Sequence, residues 1–320
     1  MPLPQSPNFN EILEARQHLK SYLQPTLLQE YPSLGRFMGC DIWVKHENHL
    51  PTAAFKVRGG INLMSQMEST EKSRGVIAAS TGNHGQSVAY AAKIFGVKAT
   101  ICVPQAANPA KVESMKDLGA EIIAEGRDFD EAREHCERLA KERGYRYIHS
   151  GNEPLLIAGV ATATLEILEE LPCVDVLLVP VGGGSGAAGA CLAAQGLRSK
   201  VEVIGVQSEA APAAYRSWKE HRLVEDCMGT WAEGLATRSA FELPQQILWE
   251  LMRDFVLVSE GELRQATRWM IEKTRNLVEG AGAAALAAAV KLQDRLAGRR
   301  VVLICSGGNL SMAQLKEILG

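Results

Sequence analysis

Short unbroken apolar runs alternate along most of this chain with longer stretches in which apolar positions recur every three to four residues. The first pattern predicts strands buried on both faces and the second predicts helices, so their alternation predicts parallel strands covered by helices. An amphipathic helix is expected over 8–22 and a short strand over Asp41–Lys45. Strands follow at Gly75–Ala79, Ala99–Pro104 and Ala120–Ile123, with helices over 85–95, 110–118 and 129–143. A second series holds a helix over 155–170, a strand at Val174–Pro180, a helix to 195, and strands at Val201–Val206 and Arg300–Cys305. The expected fold is α/β, two open parallel sheets with helices on both faces. Residues 1–72 and 150–320 form a large domain and residues 73–149 a small one.

Three of these strands end in glycine-containing loops, after Ala79, Pro180 and Cys305. Ligands of open α/β sheets bind outside the carboxyl ends of strands, so the three loops are expected to meet in one crevice. Gly182-Gly183-Gly184-Ser185-Gly186 joins an apolar strand to an alanine-rich helix, which suits a phosphate held by converging N–H groups. It has no Walker lysine and no Gly-x-Gly-x-x-Gly spacing, and a tight structural turn is the plainer reading. Ser80-Thr81-Gly82-Asn83-His84-Gly85-Gln86 opens another helix and suits a carboxylate, with a helix cap by Ser80 or Thr81 as the alternative. Cys305-Ser306-Gly307-Gly308-Asn309 sets a hydroxyl at the end of a central strand.

A lysine completes the set. Pro51 is expected to start a helix, and Thr52–Val57 is small or apolar apart from Lys56. Burial disfavours an ammonium and promotes the neutral amine that attacks a carbonyl. The alternative is a lysine whose stem packs while its head reaches water. Phosphate cradle, carboxylate grip and buried lysine together describe an amino acid held by pyridoxal 5′-phosphate.

Composition narrows the function further. At 320 residues and 46% hydrophobic the chain can bury a large core, and its net charge of −3 shows no basic stripe for nucleic acid or an anionic membrane. No apolar run reaches a membrane span, and Met1-Pro2-Leu3-Pro4-Gln5 does not start a leader, so a cytoplasmic protein is expected. The seven cysteines are widely spaced without a Cys-x-x-Cys pair, which argues against disulfides and zinc. His46 and His49 could be a metal pair but are more simply structural, and no metal site is expected. His46, Asn48, His49, Trp231 and Arg238 are candidates for a side-chain pocket.

The stretches Pro51–Gly59, Ser80–Gln86, Gly182–Gly186 and Ser306–Asn309 resemble those of the fold type II pyridoxal-phosphate enzymes, whose sheets are tryptophan synthase β-like. The likeness is greatest to the serine/threonine dehydratase and serine racemase group and covers nearly the whole chain. It implies that Lys56 forms the Schiff base, Phe55 flanks the ring and Asn83 bonds the ring hydroxyl. It gives the phosphate to Gly182, Gly183, Gly184, Ser185 and Gly186, and the pyridine nitrogen to Ser306 with Glu279 nearby. Ser80, Thr81, Asn83 and His84 would bind the substrate carboxylate, Gly234 would lie beside the substrate, and Lys56 would take the Cα proton.

The implied reaction is α-proton abstraction and β-elimination from a serine- or threonine-like amino acid, giving a 2-oxo acid and ammonia. Thr81 stands where racemases have serine, so amino-acid racemisation is a second reading. A β-replacement synthase is a third, and a non-catalytic nucleotide-binding module the reading from another class. Ala54 replaces a family serine, and Gln207 and Ala213 fall where relatives place carboxylates for a divalent cation, so that site is expected to be absent or weak. A C-terminal regulatory segment is not expected from the sequence, which points to a catabolic role, and the resemblance implies a homodimer.

Overall fold

Ten strands, ordered in two sheets, make up the β structure of residues 4–320, which are the residues this computed structural model describes. Met1–Leu3, on which the reading of the chain start partly rests, lie outside them. The strands are β1 (Leu28–Glu30), β2 (Asp41–His46), β3 (Val76–Ala79), β4 (Ala99–Val103), β5 (Glu121–Ala124), β6 (Arg146–Tyr147), β7 (Val176–Pro180), β8 (Glu202–Ser208), β9 (Asp254–Val258) and β10 (Arg300–Cys305). One sheet has the order β1-β2-β10-β7-β8-β9 and the other β5-β4-β3-β6.

All pairings are parallel except that of β1 with β2, so the larger sheet carries one antiparallel edge that the apolar pattern does not predict. The central strands are the continuous apolar runs: β3 and β4 are buried throughout, and β7 as far as Pro180. Strands absent from the sequence expectation lie at sheet edges. β1 has three residues with two exposed, β6 has two, and β9 is only half-buried at Asp254, Val256 and Leu257. An edge strand has one neighbour and less burial, so its apolar signal is weak.

Helix termini follow local chemistry. Asp128 caps the helix Phe129–Arg143 by accepting from the Glu131 N–H at 3.0 Å, and left-handed Gly144 ends it. The helix Pro154–Glu170 is buried along most of its length and crosses the helix Lys56–Gln66 at paired glycines. A Cβ at Gly159 would lie 2.6 Å from the Arg58 carbonyl oxygen, and one at Gly59 2.7 Å from Leu156.

The helix start expected at Pro51 falls instead at Lys56. Residues 50–55 are tied sideways to the loop after β10: Phe55 donates its N–H to the Ser306 carbonyl at 3.0 Å, and Gly308 donates to the Ala53 carbonyl at 2.8 Å. Backbone groups engaged in that way are not available for a helical turn, and Ala53 adopts φ 50°. Lys56 thus stands on the first helical position, beside the loop that ends β10.

Two apolar clusters cover the faces of the larger sheet. A third joins Leu19, Leu50, Val57, Ile61 and Leu156 to Val76, Ile101 and Met115 of the smaller sheet and its helices. The lysine helix therefore packs on the helices Asn83–Phe95 and Pro154–Glu170, and through the first of these it joins the core of the smaller sheet.

Candidate active site

One cavity of about 860 Å3 opens where β3, β7 and β10 end, lined by Ala79, Pro180 and Ser306 and by the loops that follow them. It gathers Phe55, Lys56, Ser80, Thr81, Asn83, His84, Gly182, Gly183, Gly184, Ser185, Gly186, Gly234, Glu279 and Ser306. The residues that the resemblance assigns to the cofactor and to the substrate carboxylate all line this space.

Lys56 reaches the glycine loop. Its Nζ donates to Ser185 Oγ at 2.7 Å and to the Ser150 carbonyl at 3.0 Å. The residue is half-buried, its exposed part on the cavity, and the surrounding desolvation lowers its ammonium to about 8. A neutral amine is therefore accessible near physiological pH, as a Schiff-base lysine requires.

The glycine loop is a cradle of free donors. Among the described residues, the N–H groups of Gly182, Gly183 and Gly184 have no protein acceptor. Gly184 adopts φ 89° at the entry to the helix Ser185–Gly196, whose N-terminus adds positive potential. Side chains have no room here: a Cβ at Gly183 would lie 2.0 Å from the Phe241 ring and one at Gly182 2.3 Å from the Gly234 carbonyl oxygen. The Phe55 ring packs against Gly186, 3.2 Å from a Cβ built there. Orphan N–H groups, a helix N-terminus and a nearby amine fit a phosphate-bearing aldehyde.

Across the cavity the helix Asn83–Phe95 follows β3. Ser80 Oγ accepts from the N–H groups of Gly82 at 3.1 Å and Gly85 at 2.8 Å, so this hydroxyl closes the loop in the manner of a cap rather than facing a substrate. The His84 Nε2–H donates to the Ile148 carbonyl at 3.1 Å, and burial lowers the imidazole to about 3. A neutral ring bonded through Nε2 has only an acceptor at Nδ1, which does not suit an anion. The loop's free donors are the N–H groups of Thr81, Asn83 and His84, which have no acceptor among the described residues, and Thr81 itself lines the cavity.

Asn83 links the loops. Its Nδ2 donates to Glu279 Oε1 at 2.6 Å, and its Oδ1 accepts from Asn309 Nδ2 at 2.8 Å. Glu279 is buried against Gly307, and desolvation raises its pKa despite opposing effects of Lys111 and Asn83.

Two cavity residues have no signal in the sequence reading. Lys111, on the helix Pro109–Asp117, pairs with Glu233 at 2.8 Å and stands 3.9 Å from Glu279. Neither Lys111 nor Glu233 belongs to a recognisable glycine loop. Conversely, His46, Asn48, His49, Trp231 and Arg238 do not line the cavity. His46 is buried against the Tyr31 hydroxyl at 2.9 Å and stacked on His49, with burial lowering it to about 4, while Arg238 pairs with Asp128 and Asp130 at the surface. Gln207 accepts from the Tyr215 N–H at 2.9 Å, and the neighbouring Glu209 pairs with Lys291 at 3.2 Å.

Residues 19–307 match the model of the family described as pyridoxal-phosphate dependent enzyme, and the chain belongs to that family. This membership makes the chain an enzyme of the fold type II class rather than a nucleotide-binding module. It is 38% identical over 311 residues to an L-threonine ammonia-lyase of Thermotoga maritima, covering 97% of this chain and 77% of the relative. It is also 33% identical over 318 residues to a catabolic L-threonine dehydratase of Staphylococcus aureus, covering 98% and 92%. Among solved structures, maize serine racemase aligns with a TM-score of 0.93 at 28% identity, over 98% of this chain and 97% of that one.

Proposed function

We propose that this enzyme is an ammonia-lyase for a β-hydroxy amino acid, threonine or serine, releasing a 2-oxo acid and ammonia. The observation that carries the proposal is the Lys56 amine held 2.7 Å from Ser185 Oγ, between the orphan-donor cradle and the Thr81–His84 loop of one cavity.

Pyridoxal phosphate, when bound, supplies an aldehyde for the substrate amine and a conjugated ring that takes up the electron pair left at Cα. The chain's own residues do the rest. Gly182, Gly183 and Gly184 hold the phosphate through their free N–H groups, and Ser185 positions the lysine amine. The N–H groups of Thr81, Asn83 and His84 grip the substrate carboxylate. Lys56, with its ammonium lowered to about 8, takes the Cα proton as a neutral base. Ser306, assigned to the ring nitrogen, is a neutral hydroxyl and favours prompt loss of the β-hydroxyl over a long-lived carbanion.

The test is a panel of β-hydroxy amino acids of both configurations, scored separately for 2-oxo acid and for isomer. Production of 2-oxo acid from L-threonine or L-serine is the expected result. Racemisation is the second reading, favoured by Thr81 on the cavity lining, whose hydroxyl could return a proton to Cα. Isomer without 2-oxo acid would replace the first reading by the second.

We also propose a catabolic role, supported by the likeness to the Staphylococcus aureus enzyme. Cytoplasmic location draws support from seven free cysteines, and the homodimer, measurable by sedimentation, from the resemblance. The small domain of residues 73–149 is supported by a four-stranded sheet built wholly from residues between Val76 and Tyr147.

A further inference from the structure

Lys111 is a buried lysine that the reaction outlined above does not use. It leaves the helix Pro109–Asp117 beside the smaller sheet and reaches across to Glu233, in the turn Glu233–Leu235, and to Glu279, which starts the helix Gly280–Lys291. Only 6% of the residue is exposed, and both carboxylates also line the cavity. Its stem lies along the Thr81–His84 loop. From a Cβ built at Gly82, Lys111 Cδ is 3.2 Å away, Nζ 3.5 Å and Cε 3.8 Å.

The charges around the cavity explain why a cation is placed there. Among the described residues that line it, Lys56 and Lys111 are the cations, Glu233 and Glu279 the carboxylates, and His84 is a neutral imidazole. Lys56 is committed to the cofactor, and Ser80 Oγ to its own loop. A carboxylate arriving at the Thr81, Asn83 and His84 N–H groups therefore meets two like charges and one opposite charge. A partly desolvated charge is felt strongly at such distances, so the identity of that one cation decides whether an anion is admitted.

We propose that Lys111 is a substrate-binding residue: its ammonium, shared with Glu233, supplies the positive charge that admits and orients the substrate's α-carboxylate at the Thr81–His84 loop. Glu233 sets how much of that charge the substrate receives. The inference rests on the reading of the chain as an enzyme that binds a free amino acid.

The alternative is a purely structural strut between the helix Pro109–Asp117 and the turn at Glu233. The two readings predict opposite behaviour for one variant. Glycine and glycinamide both present an amine to the cofactor, but only glycine carries a carboxylate, so their dissociation constants can be compared by absorbance titration of the holoenzyme. Lys111→Gln should weaken glycine at least about tenfold, the range of a lost charge-assisted hydrogen bond, and leave glycinamide within about twofold. Lys111→Arg should keep most of the glycine affinity. Glu233→Gln, which releases the ammonium from its partner, should leave glycine binding as tight or tighten it.

Equal weakening of glycine and glycinamide in Lys111→Gln, or weakened glycine in Glu233→Gln, would establish the strut and overturn the proposal. Should Lys111→Gln not fold, the Glu233→Gln and Lys111→Arg titrations decide alone. Failure of the unmodified holoenzyme to bind glycine at all would instead count against the amino-acid reading, so the two failures are distinct.

Discussion

Arg58 grips Glu47 through two parallel hydrogen bonds, Nε to Oε2 at 2.7 Å and Nη2 to Oε1 at 2.8 Å, with both side chains buried. The same guanidinium donates to Glu166 at 2.6 and 2.9 Å, and Lys45 Nζ donates to Glu166 at 2.6 Å, so two cations meet two carboxylates. This cluster fastens the first turn of the lysine helix to the end of β2 and to the helix Pro154–Glu170.

Replacing Arg58 by Met leaves carboxylates buried without their main partner and should cost about 3–5 kcal/mol, read from urea unfolding. The double replacement Glu47→Met with Arg58→Met should recover a large part of that loss, because an apolar pair of similar volume replaces the ion pair. A loss below about 1 kcal/mol for Arg58→Met would mean that the cluster contributes little.

Acid should act on the same cluster. Desolvation pushes the Glu47 carboxyl up, but the Arg58 charge and hydrogen bonds, with Lys45 and Thr26, outweigh it and hold the carboxyl below its ordinary value. The unfolded chain then takes up the proton more readily than the folded one. The stabilisation is fully present above the unfolded carboxylate pKa and is lost as pH falls through the lower folded value. Glu47→Gln should flatten this acid limb of the stability curve, as followed by circular dichroism.

The lowered pKa of Lys56 has a kinetic consequence. In cofactor-free protein the neutral amine is the nucleophile, so the rate of cofactor capture should rise with pH and level off above about 8, where the ammonium has lost its proton. A rise continuing to the ordinary lysine range would show that burial does not activate this amine.

Lys56→Ala removes both the covalent anchor and the base. Turnover should fall at least about a thousandfold, and borohydride should no longer fix the cofactor to the protein. The fold should survive, since the side chain ends in the cavity.

Gly183→Ala sets a methyl group 2.0 Å from the Phe241 ring, a contact that must displace the ring or the loop. Cofactor affinity should drop about tenfold or more, and adding Phe241→Ala should restore part of it, as measured by equilibrium dialysis.

The sequence carries the central strands and the three loops in legible form, because each central strand is an unbroken apolar run and each loop is marked by glycine. The edge strands β1 and β6 escape it because two or three half-exposed residues leave no period to detect. The helix start at Lys56 escapes it for another reason: the bonds from Phe55 to Ser306 and from Gly308 to Ala53 join segments about 250 residues apart in sequence. Lys111 is hidden in the same way. Within its own helix it reads as one more surface lysine, and its partners Glu233 and Glu279 come from distant turns. The Ser80 cap was legible as an alternative, and the hydrogen bonds to Gly82 and Gly85 favour it over a contact with substrate.

β10 lies between β2 and β7, and it is the last strand in the chain. During synthesis the larger sheet therefore waits, split into two halves with open edges, until residues near 305 leave the ribosome. The strands of the smaller sheet all lie before Ile148, so its hydrogen-bonded framework can form much earlier. Nascent chains stopped before Arg300 should thus display a protected smaller sheet beside exposed, aggregation-prone edges, and should gain the ability to capture cofactor only when the final strand slides into the gap.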